Sequence, residues 1–554
     1  MLGLFLAIWF VAGVLQSIFT DLNGEEAYYA TFGQHLAWGY FDHPPGIAFF
    51  TRLGMLVFSG NLGPRIMMVV LSTATIWIGS RLLDPRHIPL YIAAVCGLGL
   101  TQAGSFVIKT DVPLLFFETV FLYFYRDYLQ GRHRISISVL PIAIAGMLLS
   151  KYHGILVVAL VLLSNPALLK RWSFWFILLL SLVLVLPHAI WLRAHDYVTI
   201  RYHLGGRQDQ AFRWTNVVAY LLMQPFVFGP AIGLLLLPAA LMTRTRNLFE
   251  RTLKFNLIGI LAFFFVASFT THIHMHWTSI ALVPLLTLAI PYIDLRPRLR
   301  TIFVKLAVVT AATFVPMRIY LAWDYLPAFL DRKLEVSHGW SQWAQDIRNL
   351  ANGRCVIFFN DYGSAAQYTF YTGEMALSYN AVDYQNTQQD LWPIEENFRG
   401  KRVMIVRGTL VDGYSTAYAR NGARIQYRYG DDFQSYSKVR ISLAQDPPLH
   451  FLAGKPFKLP ITLVNYYVQP IFFKPHTEFA PVLGFYFFKG QTQVINGACD
   501  ILSGTTLKDN LTRTIEIQPP AIPGKYTFRL AICPGWLPPP ANSNLYSVTL
   551  DPDR

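Results

Sequence analysis

Before residue 322 the chain alternates long apolar runs with short polar turns. About eleven runs stand out, near 2–20, 64–82, 88–108, 112–128, 135–149, 154–169, 173–192, 217–242, 255–271, 277–293 and 302–321. A bilayer-spanning helix needs about 20 mostly apolar residues, with a range of roughly 17–25, so each run predicts a membrane span. The pattern then changes. Residues 355–359 and 402–406 read as buried strands on either side of a helical stretch at 365–371, which predicts a small α/β unit over about 330–440. After Pro447 and Pro448 come short runs rich in Val, Tyr, Phe and Thr, separated by Gly, Pro and Asn. Those at 456–465, 483–490, 513–518, 525–532 and 545–550 predict a β-sandwich. The expected architecture is an α-helical polytopic membrane protein with C-terminal extracytoplasmic α/β and β-sandwich domains, divided as 1–321, 322–440 and 441–554.

Composition agrees with that picture. Of the 554 residues 53% are hydrophobic and 14% charged, against about 25% charged in ordinary soluble domains, and the mean hydropathy is +0.36. A net charge of +14 would suit nucleic acid, but much of the basic excess lies in alternate turns between apolar runs. One set carries Arg81 and Arg86; Arg126, Arg132 and Arg134; Lys170 and Arg171; Arg244, Arg246, Arg251 and Lys254; and Arg296, Arg298 and Arg300. Cytoplasmic loops are enriched in Lys and Arg, so these turns should lie inside. The N-terminus then starts inside, and residues 322–554 lie outside a plasma (inner) membrane, which in a bacterium is the periplasm. The first run lacks a basic leader region, and Gln16–Thr20 offers no A-x-A-like cleavage site, so it reads as a retained span. The four cysteines form no CxxC pair and no zinc-ligand spacing. Cys499 and Cys533 share the expected oxidising side and are candidates for a disulfide.

With orientation taken from the basic turns alone, the unusual polar residues can be placed independently. They fall on the outer side. The first outer loop holds Glu25, Glu26, His43 and Pro44-Pro45; the next outer turn holds Lys109 and Asp111; the third holds Lys151 and His153. The fourth carries Arg193, Arg201, Arg207 and Arg213 against the charge trend, and the fifth contains His272, His274, His276 and Trp277. Ionisable groups at the ends of apolar helices mark a site by default. Guanidinium groups bind phosphate oxygens bidentately, and a nearby carboxylate supplies a general base. Together these are the parts needed for glycosyl transfer from a lipid-phosphate carrier. Glu25 or Glu26 would be the base, with Lys151 or the arginines as counter-charge. Either glutamate also suits the first turn of a helix after Asn23-Gly24. Asp111 doubles as a helix start before Pro113. On a helix His272 and His276 would share a face and make a divalent-metal candidate.

Asn23-Gly24-Glu25-Glu26-Ala27-Tyr28-Tyr29, followed by Gly39-Tyr40-Phe41-Asp42-His43-Pro44-Pro45, resembles the first-outer-loop signature of bacterial PMT-type glycosyltransferases of the GT-C class. These are related to protein O-mannosyltransferases and to the aminoarabinose transferase of lipid A. Lys109-Thr110-Asp111-Val112-Pro113-Leu114, Ser150-Lys151-Tyr152-His153, His276-Trp277 and Asp390-Leu391-Trp392-Pro393 resemble further motifs in the expected order, so the resemblance covers about residues 1–400. It implies a GT-C-like helical body, a polyprenyl-phosphate-linked sugar donor and inverting transfer to a lipid, glycan or protein hydroxyl outside the cytoplasm. It further implies a catalytic set of Glu25, Glu26, Asp111 and Lys151, and donor-binding roles for His43, Tyr28, Lys109, Arg201 and Arg207. The family's usual first-loop pair is Asp-Glu; Glu25 occupies the leading position, with Asp21 as a fallback. The competing reading is a polytopic transporter or flippase of a lipid-linked saccharide, which would place broken helices and polar groups near mid-membrane in both halves. Most ionisable groups here lie at the run ends instead.

Overall fold

The computed structural model describes the chain outside residues 205–211, 324–337, 383, 445–448, 491, 500–501 and 553–554. Contacts divide it into two compact units, Met1–His338 and Gly339–Arg554.

The first unit is helical. Its elements are α1 (Leu2–Phe19), α2 (Gly24–Gln34), α3 (Gly46–Met55), α4 (Leu62–Ser80), α5 (Ile88–Gly97), α6 (Gly99–Gly104), α7 (Asp111–Leu129) and α8 (His133–Ser150). These are followed by α9 (Gly154–Ser164), α10 (Trp172–Ala194), α11 (Val198–Leu204), α12 (Trp214–Val227), α13 (Gly233–Met242), α14 (Leu248–Ala267), α15 (Leu282–Asp294) and α16 (Pro297–Ala322). Every apolar run forms helix. Among the described residues five segments are long and apolar enough to cross a membrane: Leu2–Phe19, Leu62–Ser80, Trp172–Ala194, Met275–Asp294 and Pro297–Ala322. Two runs break in the middle. Leu98 turns to extended backbone between Gly97 and Gly99 and separates α5 from α6. Gly229, at φ 109°, ends α12 ahead of Pro230, a conformation that glycine adopts without steric cost.

The core of this unit lies among α4, α5, α7, α8, α14 and α15, filled by residues such as Leu114, Leu122, Met147, Ile260, Phe264 and Leu285. The first loop packs onto it through small residues. A Cβ on Gly54 would lie 2.1 Å from the Gly63 carbonyl oxygen, so α3 can approach α4 only with glycine there.

The second unit begins with an α/β layer. Strands β1 (Cys355–Phe359), β2 (Leu377–Tyr379) and β3 (Val403–Arg407) are parallel and are joined through α17 (Trp340–Ala351) and α18 (Tyr362–Thr372). β4 (Ser415–Tyr418) and β5 (Arg424–Gly430) extend the sheet antiparallel, giving the order β2-β1-β3-β5-β4. The runs beyond 438 form a sandwich. A five-stranded sheet is built from β7 (Leu449–Leu452), β10 (Pro481–Lys489), β11 (Thr492–Cys499), β14 (Gly524–Pro534) and β15 (Tyr546–Asp551). It shares a core with a three-stranded sheet of β6 (Val439–Leu443), β8 (Phe457–Asn465) and β13 (Asn510–Ile517) and with the short pair β9 (Ile471–Phe472) and β12 (Thr506–Leu507). Inward positions alternate along each strand: Leu459, Ile461 and Leu463 face Leu483, Phe485, Phe487, Phe528 and Leu530 across the core, as the period of two requires. The α/β and sandwich layers of this unit are stapled by buried polar contacts. The Glu395 carboxylate accepts from Tyr467 Oη at 2.9 Å and from Ser437 Oγ, and Tyr379 Oη donates to Pro538 O at 2.8 Å.

The register separates the two cysteines suggested as a disulfide. Cys499 pairs with Leu483 on one side of β10, and Cys533 pairs with Val482 on the other. They therefore lie two strand spacings apart, about 9.6 Å, whereas bridged cysteines need Cα atoms within about 7 Å. All four cysteines are free.

The stretch Asp390-Leu391-Trp392-Pro393 belongs to a short helix, Gln388–Leu391, closed by a capping box in which Asp390 accepts from the Thr387 backbone N–H at 2.6 Å and from Asn380 Nδ2 at 2.7 Å. Burial outweighs these donors and pushes the Asp390 carboxyl up to about 6. A carboxyl raised in the fold binds its proton more tightly than in the unfolded chain, where it titrates near 4. The stability it contributes is therefore full below about pH 4, falls as the pH rises to about 6 and is flat above. Melting of the full chain should lose up to about 3 kcal/mol over that window through this residue. In Asp390→Asn that component of the pH dependence should vanish; an unchanged profile would refute the assignment.

Candidate active site

The first loop is built on a capping box. Asn23 Oδ1 accepts the Glu26 N–H at 3.0 Å, and Glu26 Oε2 accepts the Asn23 N–H at 3.2 Å, which fixes the first turn of α2. Glu26 is 1% exposed and held bidentately by the fully buried Arg65 of α4, with Nε to Oε1 at 2.8 Å and Nη2 to Oε2 at 2.6 Å. The Ile108 N–H donates to the same carboxylate at 3.0 Å. Arg65 also donates to the carbonyls of Ser17, Thr20 and Asp21 at the end of α1, where a cation complements the helix C-terminus. One buried guanidinium thus ties together α1, α2, α4 and the segment before α7. The sequence analysis does not single it out, although an arginine at the start of the apolar run 64–82 is itself a signal.

Glu26 is therefore sealed, whereas its neighbour Glu25 keeps 57% of its side chain exposed and lies 3.9 Å from Lys109 Nζ. Two residues along the chain, Asp111 opens α7 and accepts both oxygens' worth of bonds from Lys151 Nζ, at 2.8 and 3.0 Å. Ser279 Oγ donates to Asp111 at 3.1 Å, and His276 Nε2 stands 4.0 Å from it. Four connections between apolar helices meet here: the start of α2, the turn before α7, the turn between α8 and α9, and the 3₁₀ turn Met275–Ala281. Two carboxylates and two ammonium groups pair at these connections, with His276 beside Asp111.

A second cluster lies on the same first loop. His43 Nε2 is 2.9 Å from Tyr29 Oη and 3.8 Å from Asp42. α11 closes over it: Thr199 Oγ1 donates to Tyr40 O at 2.6 Å, and His203 Nε2 bonds Asp42 O at 2.9 Å. His188 of α10 bridges Tyr152 Oη at 2.9 Å and Trp38 O at 2.6 Å. Trp191 lies flat against Gly39, where any Cβ would come within 2.3 Å of the ring. Tyr28 is 3% exposed, packed edge-on to Phe32 with ring centroids 4.6 Å apart. Arg201 stands exposed on α11, while Arg207 lies outside the described residues. The expected helical face of His272 and His276 does not form. Residues 272–274 are not helical, with His274 extended just before the 3₁₀ turn begins, and neighbouring rings of the three histidines are 5.5 and 5.8 Å apart. Among the described residues no group of three or more His, Cys, Asp or Glu is arranged to hold a metal ion.

Comparison with known proteins bears on the same segments. The family model described as dolichyl-phosphate-mannose-protein mannosyltransferase matches residues 42–191. The chain is 28% identical over 209 residues to the lipopolysaccharide core galacturonosyltransferase RgtA of Rhizobium johnstonii, covering 35% of this chain and 42% of the relative. It is 31% identical over 201 residues to the lipid A galacturonosyltransferase RgtD of the same organism, covering 33% and 41%. The matched stretch thus spans about two fifths of each relative's length. In structure the chain resembles ArnT from Cupriavidus metallidurans in the apo state, with a TM-score of 0.56 at 15% identity over 76% of this chain and 97% of that one. It also resembles ArnT bound to undecaprenyl phosphate, with a TM-score of 0.52 at 16% identity and the same coverage. Residues 42–191 thus resemble the dolichyl-phosphate-mannose-protein mannosyltransferase family, and the fold is like that of ArnT.

Proposed function

We propose that the protein transfers a sugar from a polyprenyl-phosphate carrier to an acceptor hydroxyl outside the cytoplasm, from a site at the outer face of a plasma membrane. The observation that carries this reading is the convergence of Glu25, Lys109, Asp111 and Lys151 on one end of the helical body. Glu25, exposed at the start of α2, takes the proton of the acceptor hydroxyl as its oxygen forms the new bond to the anomeric carbon. The bond from that carbon to the carrier phosphate breaks with its electron pair, inverting the centre and releasing polyprenyl phosphate as an anion. Lys109 and Lys151 stabilise that charge, in the way that fixed cations act on developing anions. Asp111 holds Lys151 in place, and Glu26 positions the loop without touching substrate. The His43, Tyr29 and His203 cluster offers ring and hydroxyl donors to the sugar-phosphate, and the exposed Arg201 of α11 offers a guanidinium to the anionic carrier head group. Support comes from the family match and from the likeness to a fold that binds undecaprenyl phosphate in ArnT.

The test is release of undecaprenyl phosphate from a panel of undecaprenyl-phosphate-linked sugars by the purified protein, with galacturonic acid, the sugar in the relatives' names, first in the panel. Mass spectra of envelope lipids and glycans from strains with and without the protein should differ by one sugar residue. No carrier release from any donor, together with unchanged spectra, would overturn the reading.

A further inference from the structure

In the α/β layer β1 leads by way of α18 to β2 on one side, while its other parallel neighbour is β3. The carboxyl ends of β1 and β3 therefore flank a topological switch point, where open α/β sheets leave a crevice for ligands. Phe359 ends β1 and Arg407 ends β3. The Arg407 guanidinium lies 3.8 Å over the Phe359 ring and 5.6 Å from the Tyr414 ring. Its Nε is buried without a hydrogen-bond partner, and among the described residues no carboxylate pairs with it. Tyr414 meets Trp536 edge-on at 6.0 Å. Trp536 Nε1 is likewise buried without a partner, and Arg428 covers the indole at 4.1 Å while reaching Glu478 at 3.5 Å. The half-buried Tyr414 phenol feels both guanidinium charges.

This end of the sheet thus combines three aromatic rings, two guanidinium groups of which one reaches Glu478, and donors left unspent. Leaving a buried donor unpaired costs about 1–3 kcal/mol, and a cation–π contact returns only about 0.5–2 kcal/mol. Aromatic faces stack on the C–H faces of sugar rings, and a guanidinium edge pairs with a carboxylate or phosphate in two parallel bonds. We propose that the carboxyl ends of β1 and β3, with Phe359, Arg407, Tyr414 and Trp536, bind an anionic saccharide. This deepens the transfer reading by naming the class of acceptor the second unit recognises, and to that extent it rests on it.

The test titrates the full-length protein in detergent micelles with a tetrasaccharide of glucuronic acid and with its uncharged match, cellotetraose, following tryptophan emission and ligand saturation-transfer spectra. The charged tetrasaccharide should bind with a dissociation constant on the order of 1 mM or tighter, and cellotetraose about 10-fold more weakly. Arg407→Gln should weaken the charged ligand about 10-fold, and Arg407→Lys, which keeps the charge without the planar fork, about 3-fold. Lys458→Gln, which removes an exposed charge from β8, should leave it unchanged. Absence of binding at about 10 mM, equal binding of both sugars, an unaltered Arg407→Gln, or a loss shared by Lys458→Gln would each overturn the proposal. The assay contains no donor and needs no turnover. Transfer activity without this binding sinks only this inference, and binding without transfer sinks only the enzymatic reading.

Discussion

Replacing Arg65 by methionine should cost about 3–5 kcal/mol, the usual penalty for breaking a buried ion pair from one side. Methionine fills much of the same volume, so the loss is electrostatic. The Glu26 carboxylate would remain 1% exposed with only the N–H groups of Asn23 and Ile108 and the Asn23 amide against it. The carbonyls of Ser17, Thr20 and Asp21 would lose their shared donor as well. Thermal melting of the full chain in detergent measures the effect. The double replacement Arg65→Met with Glu26→Gln should recover at least about 1 kcal/mol, because residues in one ion pair are not additive. A single variant within about 0.5 kcal/mol of the parent, the range of ordinary surface substitutions, would show that the pair does not hold the loop.

Replacing Glu25 by glutamine should lower transfer about 10²–10⁴-fold, the typical contribution of a positioned general base. Melting should barely move, since the side chain is 57% exposed and its contact with Lys109 is 3.9 Å long; exposed pairs of this kind contribute about 0–1 kcal/mol. Glu25→Asp shortens the reach by one methylene and retains the charge, so it should keep more activity than glutamine if proton removal is the role. Turnover of an undecaprenyl-phosphate-linked sugar by the purified variants decides between these outcomes. Glu25→Gln within about 3-fold of the parent, far short of a general base, would remove this residue from the chemistry.

Much of the site can be traced to particular residues in the sequence. The motifs around Glu25, Lys109, Asp111 and Lys151 stand out as charges at the ends of apolar runs, and the ion pairs bring them together. Arg65 stands out less, because it sits in the first turn of a run that otherwise reads as a plain span. The His272 and His276 face does not form because helical spacing holds only within a helix, and residues 272–274 lie ahead of a 3₁₀ turn. The Cys499 and Cys533 pairing failed because compartment alone says nothing about register, and β10 lies between the two strands. The grouping of Arg407 and Tyr414 with Trp536 has no local motif, since Trp536 lies more than a hundred residues from the others.

Run length and charge placement, both one-dimensional, determined the helical body, the sheet-rich second part and the outer-loop candidates, because burial of apolar side chains depends first on how many occur in succession. Which of two adjacent glutamates is exposed is another matter. Successive residues point about 100° apart around a helix, so Glu26 turns into Arg65 while Glu25 turns out beside Lys109. Only the packing of α2 against α4 could decide that, because the guanidinium that selects Glu26 comes from a helix 39 positions away.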